Sequence, residues 1–301
     1  MSDYPIRHID KNPSLEGQAR MVPNITFTDR EENPLTMQLF RPWNATEVGD
    51  LDAAYAERVW PTVVFVQGSG WTFPDVYFEL PQIAQLARRG YVVVTVTHRN
   101  YEEGHRAPAF LKDVKTAIRY LRSHAAQYSI DPEKIGIWGT SSGGNAAMLV
   151  GLTGDDPKYK TNEWADQSDA VDFVVECFGP ADTGDLLQDI EAQAGQADEV
   201  EKNLLLNFIG SPDGGIDMDL VRELSPIERI EEGRTYPPFL LLHGDGDPVV
   251  AYEPTVRFYN KLRDHGTEAE MVCVDGAQHE GNFWSEELFG IIWDFIDRHS
   301  K

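Results

Sequence analysis

Cysteine is almost missing from this chain: 301 residues hold two, Cys177 and Cys273. Both stand in apolar runs that read as buried strands, so a disulfide-built scaffold is excluded and free core thiols in a reducing cytoplasm are expected. Bases are scarce as well, 26 against 50 acids, for a formal charge of −24. A surface this negative repels phosphate backbones and anionic lipid, and no cluster of Lys or Arg offsets it, which argues against a nucleic-acid partner. No apolar run approaches the roughly 20 residues that cross a bilayer, so no membrane span is expected. Residues 1–20 carry Asp3, Arg7, Asp10, Lys11 and Glu16 where a secretory leader has an apolar stretch, so export by that route is not expected. Clustered Cys and His at metal-ligand spacing are lacking too, and neither a metal nor an organic cofactor is expected.

What is present builds a core. The apolar fraction is 41%, with 14 Phe, 11 Tyr and 7 Trp, which sets the chain apart from disordered sequences. Apolar, β-rich runs bounded by turn residues recur at 24–28, 35–41, 62–67, 91–97, 134–139, 171–178, 238–243 and 268–274, and predict eight strands. From residue 62 onward they alternate with helical stretches. The clearest is 108–127, where Phe110, Leu111, Val114, Ala117, Ile118, Leu121 and Ala125 form one apolar stripe. This is the rhythm of a mostly parallel sheet with helices on both faces. The first two runs, joined by the turn-like segment 29–34, predict an antiparallel hairpin at one edge.

One connection breaks the rhythm, since roughly 55 residues separate the sixth and seventh strands, too many for an ordinary loop. Segment 180–234 carries fourteen acids against four bases. Val200, Leu204, Leu205 and Phe208 recur there at helical spacing, predicting a helix over 200–209. An acidic, lid-like insertion within one domain, 1–301, is the expected organisation; a solvated surface excursion is the alternative.

Three loops carry chemistry. Gly139-Thr140-Ser141-Ser142-Gly143-Gly144 joins a predicted strand to a predicted helix, so its G-x-S-x-G lies in the context that exposes a serine hydroxyl at the end of a sheet. Such a serine acts as a nucleophile when a base takes its proton and a carboxylate orients the base. Gly244-Asp245-Gly246-Asp247-Pro248 and Gly276-Ala277-Gln278-His279-Glu280-Gly281 follow later strands and supply acid and histidine in that order. His279 is the candidate base; His243 and His98 read as structural or solvent-facing. Asp245 and Asp247 compete for the acid, and either is able to shape the turn by accepting backbone N–H groups. Donors for a developing oxyanion are expected from the N–H of Ser142 and from Gln67-Gly68-Ser69-Gly70-Trp71, the loop after an early strand.

On these residues the chain resembles the α/β-hydrolases, in particular the esterase and lipase group related to hormone-sensitive lipase and to bacterial feruloyl and acetyl esterases. The resemblance spans roughly residues 60 to 300. It includes the Gln67–Trp71 loop, Thr97-His98-Arg99-Asn100-Tyr101, Asp113-Val114-Lys115 with Ile130-Asp131-Pro132, the turn at Ser141, Gly179-Pro180-Ala181-Asp182, His243-Gly244-Asp245-Gly246-Asp247 and His279. It implies Ser141, Asp247 and His279 as a triad, because the last residue of the family's His-Gly-x-x-Asp is the acid. Gly68, Ser69 and Ser142 are the implied oxyanion donors. The family's His-Gly-Gly-Gly reads here Gln67-Gly68-Ser69-Gly70, and the short N-terminal segment offers little for a helical cap. The implied activity is that of a serine carboxylesterase on short-chain acyl esters, with acetyl or feruloyl esters of carbohydrates as candidates and Trp71 and Phe178 as candidate pocket lining. An arylformamidase or small peptidase using the same triad on amides, and a non-catalytic binding protein on this scaffold, are the rivals.

Overall fold

The computed structural model describes residues 5–28, 30, 32, 34–43, 57–193, 206–211 and 213–300. Eight strands form one sheet: β1 (Ala19–Thr26), β2 (Thr36–Pro42), β3 (Trp60–Val66), β4 (Val92–Val96), β5 (Ile130–Thr140), β6 (Val174–Cys177), β7 (Phe239–Gly244) and β8 (Ala269–Val274). Their order is β1-β2-β4-β3-β5-β6-β7-β8. β1 and β2 run antiparallel to their neighbours and β4 to β8 are parallel with β3, as the patterning predicts. β1 starts five residues earlier than its apolar run, because an edge strand with one face toward solvent needs no continuous apolar stretch. Its register shifts between Val22 and Ile25, where Asn24 takes φ 53 and exchanges hydrogen bonds with Gln38 on β2. Of the turn expected at 29–34, positions 29, 31 and 33 lie outside the described residues.

Seven helices of six residues or more flank the sheet among the described residues: α1 (Leu80–Arg88), α2 (Ala109–Ser123), α3 (Ser142–Leu152), α4 (Thr183–Gln193), α5 (Met218–Glu223), α6 (Glu253–His265) and α7 (Glu286–Ser300). Alternation along the strands divides the interior into two cores. Val64 and Val66 of β3, Val92 and Val94 of β4, and Phe239 and Leu241 of β7 face α2, α3 and α6. Val63 and Phe65, Val93, and Leu240 and Leu242 face α1 and α7. α2 stops at Ser123, short of the predicted 127, and a separate turn, Ala125–Tyr128, carries the stripe on to Ala125.

One expectation is corrected. Cys177 is buried, but Cys273 is exposed, because β8 is the outermost strand and most of it is only partly covered. The connection from β6 to β7 holds several short helical elements. It contains α4, a helical segment at 206–209 and α5, while residues 200–205 of the predicted helix lie outside the described residues. Among the described residues no helix is long and apolar enough to cross a membrane.

α3 is buried on every side, packed on one face of the sheet, so the chain must reach it from β5 through a tight turn. A Cβ on Gly143 would stand 2.0 Å from the carbonyl oxygen of Val66, and one on Gly139 would stand 2.0 Å from the carbonyl oxygen of Gly143. Both positions exclude every side chain. Gly143→Ala is expected to cost at least about 3 kcal/mol by forcing β3 and α3 apart; urea unfolding checks this, and an unchanged midpoint would show that the turn yields.

Candidate active site

Ser141 is the single residue between the end of β5 and the start of α3. Its φ of 51 and ψ of −125 lie where residues with side chains are rarely found, a conformation that persists only if its surroundings over-determine it. They do: its N–H donates to the Cys177 carbonyl at 2.9 Å, and its own carbonyl accepts the Asn145 N–H at 3.1 Å. The hydroxyl is thereby fixed at the N-terminus of α3, the positive end of the helix dipole.

His279 comes to it from the loop after β8. Its Nε2 is 3.0 Å from Ser141 Oγ, and its Nδ1 is 2.7 Å from Asp247 Oδ2. An ionised carboxylate only accepts, so Nδ1 carries the proton and Nε2 of the neutral ring is left to accept from the serine hydroxyl. Asp247 Oδ1 accepts the N–H groups of Val249 and Val250 at 2.8 and 3.0 Å. Burial pushes this carboxyl up, but hydrogen bonds from His243, His279 and the two N–H groups outweigh it and hold Asp247 well below the usual carboxylate range. It is Asp247 that the structure brings to His279. Asp245 is exposed and accepts the Gly276 N–H at 2.5 Å, tying the acid loop to the histidine loop.

His243, read from sequence as structural or solvent-facing, is fully buried, with Nε2 3.0 Å from the Val250 carbonyl and 3.4 Å from Asp247 Oδ2. Nδ1 faces Thr255 Oγ1 at 2.9 Å. It therefore braces the carboxylate that braces His279, a role signalled in sequence only by its position four residues before Asp247. His98 is also buried, its Nδ1 3.0 Å from the Arg99 carbonyl.

The loop after β3 lies hard against the turn. The Gly68 N–H, expected as an oxyanion donor, donates to Thr140 Oγ1 at 2.9 Å, and a Cβ on Gly68 would meet Ser141 Cβ at 2.8 Å. The Ser69 N–H donates to Ser142 Oγ at 2.9 Å, and the Ser69 hydroxyl donates to the Thr72 carbonyl at 2.9 Å, folding back on its own loop. The Ser142 N–H opens α3, where no intrahelical acceptor exists.

Phe178, expected as pocket lining, does not face an open pocket. It has no exposed surface, and its ring meets the His279 ring edge-on at 4.7 Å, so it supports the imidazole from behind. Trp71 is half-buried and stacks on Phe208 of the β6–β7 connection at 4.7 Å.

The model of the BD-FAE family matches residues 51–262, a stretch that runs from before β3 into α6 and contains Ser141 and Asp247. The chain belongs to the BD-FAE family. It is an α/β-hydrolase of the esterase group, as the resemblance implied. This BD-FAE chain is 30% identical over 204 residues to the esterase LipC of Mycobacterium tuberculosis (strain ATCC 25618 / H37Rv), covering 67% of itself and 48% of LipC. It spans about half the length of the curated relatives it matches. Among solved structures it superposes on a truncated carbohydrate esterase from gut microbiota with a TM-score of 0.71 at 25% identity, over 96% of this chain and 99% of that one. On a bifunctional GH43-CE protein of Bacteroides eggerthii the TM-score is 0.74 at 28% identity, over 97% and 39%.

One buried carboxyl of this BD-FAE chain stands outside the hydrogen-bonded series. Glu176 of β6 accepts the Gly179 N–H at 2.9 Å through Oε2, while Oε1 has no partner. Burial raises it from its ordinary 4.5 to about 8 against that single hydrogen bond. Between those values the folded chain holds a proton that the unfolded chain has released, so this group's contribution to stability falls as pH rises and levels off above about 8. Glu176→Gln keeps an acceptor for Gly179 and removes the charge. It is expected to be more stable than wild type at pH 8.5 by more than about 1 kcal/mol, with the gain shrinking toward pH 5; urea unfolding at the two pH values checks the sign.

Proposed function

We propose that the chain is a serine carboxylesterase acting on short-chain acyl esters, acetyl or feruloyl esters of carbohydrates being the candidate substrates. The observation that carries this is the unbroken series Ser141 Oγ, His279 and Asp247, at 3.0 and 2.7 Å. His279 takes the Ser141 proton as Oγ attacks the ester carbonyl, Asp247 stabilises the imidazolium, and His279 returns the proton to the leaving alkoxide. Water then attacks the acyl-serine with the same histidine as base. The oxyanion is received by the Ser142 N–H and by the Ser69 N–H, for which a full negative charge is a stronger acceptor than the Ser142 hydroxyl it now meets.

The esterase names of LipC and of the gut carbohydrate esterase support the ester class. We further infer one domain over the whole chain, with the acidic connection bordering the site; the stack of Trp71 on Phe208 supports this, since it joins the oxyanion loop to residue 208 of that connection. Trp71 then lines the substrate's path.

The test is hydrolysis of p-nitrophenyl esters from acetate to octanoate. Wild type is expected to turn over the short members, and Ser141→Ala to lose at least about 10⁴-fold in kcat/KM with covalent labelling by a serine-directed phosphonate abolished. Activity retained in Ser141→Ala would overturn the mechanism.

A further inference from the structure

Across the sheet from α3, against α1 and the loop after β8, lies a cavity of about 210 Å³. Its walls are aromatic: Trp138 of β5 stands edge-on to Trp284, which stacks on Phe289 of α7 at 5.1 Å, and exposed Phe78 stands at its rim. Two carboxyl groups, Glu79 and Glu280, share this apolar space, and no Lys, Arg or His lines it. Glu79 is 7% exposed, and its Oε2 has no hydrogen-bond partner. Gln82 Oε1, also in the lining, is unpartnered as well. Glu280 is partly satisfied by the Trp284 Nε1–H at 2.8 Å.

A buried carboxyl facing a second carboxyl, with an unmet acceptor atom and no Lys or Arg in the lining, is an unfavourable arrangement in an empty site, and the nearest base, His279, acts on Glu280 alone of the two. We propose that this cavity is a binding site for an organic ammonium ion. The aromatic faces attract a cation through their quadrupoles, the carboxylates supply the opposite charge, and the formal charge of −24 concentrates cations around the molecule. A neutral polyol fits less well, since its hydroxyls would meet the acceptors without supplying the positive charge that an ionised Glu79 beside Glu280 calls for.

The titration of Glu79 points the same way. Burial first, then the charge of Glu280, raise it to about 8 against a hydrogen bond from Gln67. The groups that face Glu79 are Glu280, Gln67 and the buried Cys177 thiol of β6. At neutral pH a proton fills the place of the cation, and an arriving ammonium ion displaces it.

The site stands apart from the ester chemistry, because it is tested by binding without turnover. Choline and its neutral isostere dimethylbutanol are titrated into the full chain by calorimetry in low salt. Choline is expected to bind at least about tenfold more tightly than the alcohol, and about tenfold more tightly at pH 9 than at pH 7 as Glu79 gives up its proton. Glu79→Gln is expected to weaken choline by at least about tenfold and to leave the alcohol within about twofold. If Glu79→Gln fails to fold, the half-buried Glu280→Gln, which keeps the acceptor for Trp284, is expected to show the same selective loss. Choline bound no more tightly than dimethylbutanol, or binding untouched by the carboxamide variant, would overturn the assignment.

Discussion

The carbonyl oxygen of Val66 occupies the place where a side chain on residue 143 would begin. From that approach follows the geometry of the site. With no Cβ at 139 or 143, the start of α3 packs directly against the ends of β3 and β5, the chain reverses within one residue, and Ser141 is left at a positive φ. The loop after β3 then packs so tightly on the turn that the Gly68 N–H finds Thr140 and the Ser69 N–H finds Ser142. Strain at Ser141 is held by backbone hydrogen bonds to two elements, β6 and α3, rather than by its own side chain. A site assembled this way is rigid before any ligand arrives, and rigidity is what electrostatic stabilisation of a transition state requires.

Three shielded carboxyl groups near the strand ends show what decides ionisation in such a site. Asp247 collects two backbone N–H groups and His279, with His243 close by, and stays charged. Glu176, fully buried, has one N–H, and Glu79 has one amide, and both are pushed up to about 8. Burial raises all three; the number of donors around each carboxyl separates them. The histidine that braces Asp247 is thus as much a part of the charge arrangement as the one that faces the serine.

Most of the sheet was legible from sequence because parallel strands are buried on both faces and read as unbroken apolar runs, as 91–94 and 239–242 do. Legibility failed where burial is one-sided or where backbone atoms decide. Cys273 sits in an apolar run yet is exposed, since composition does not say that β8 is outermost. α2 buries Lys115 and Arg119 on Asp169 at 2.6 and 2.7 Å, ion pairs that an apolar stripe gives no hint of. The site's residues were legible as a strand-turn-helix serine and two later loops, and the geometry joins those three. The fate of the Gly68 N–H was not, because it depends on a threonine hydroxyl 72 residues away. Nor was the orientation of Phe178, whose φ of 42 turns it behind the imidazole rather than toward solvent.

Residues 279 and 280 show how one loop serves two places. His279 turns toward Ser141 and Asp247, and Glu280, held at φ 65 and ψ −163, turns toward Trp284 and the cavity on the α1 and α7 side. That backbone conformation is one that glycine adopts freely and glutamate does not, so the surrounding contacts must maintain it. The Trp284 indole is one such contact: it donates to Glu280, packs edge-on against Phe178, and through Phe178 reaches the ring of His279. The cavity wall and the triad thus rest on one structural support, the packed rings of Trp284 and Phe178.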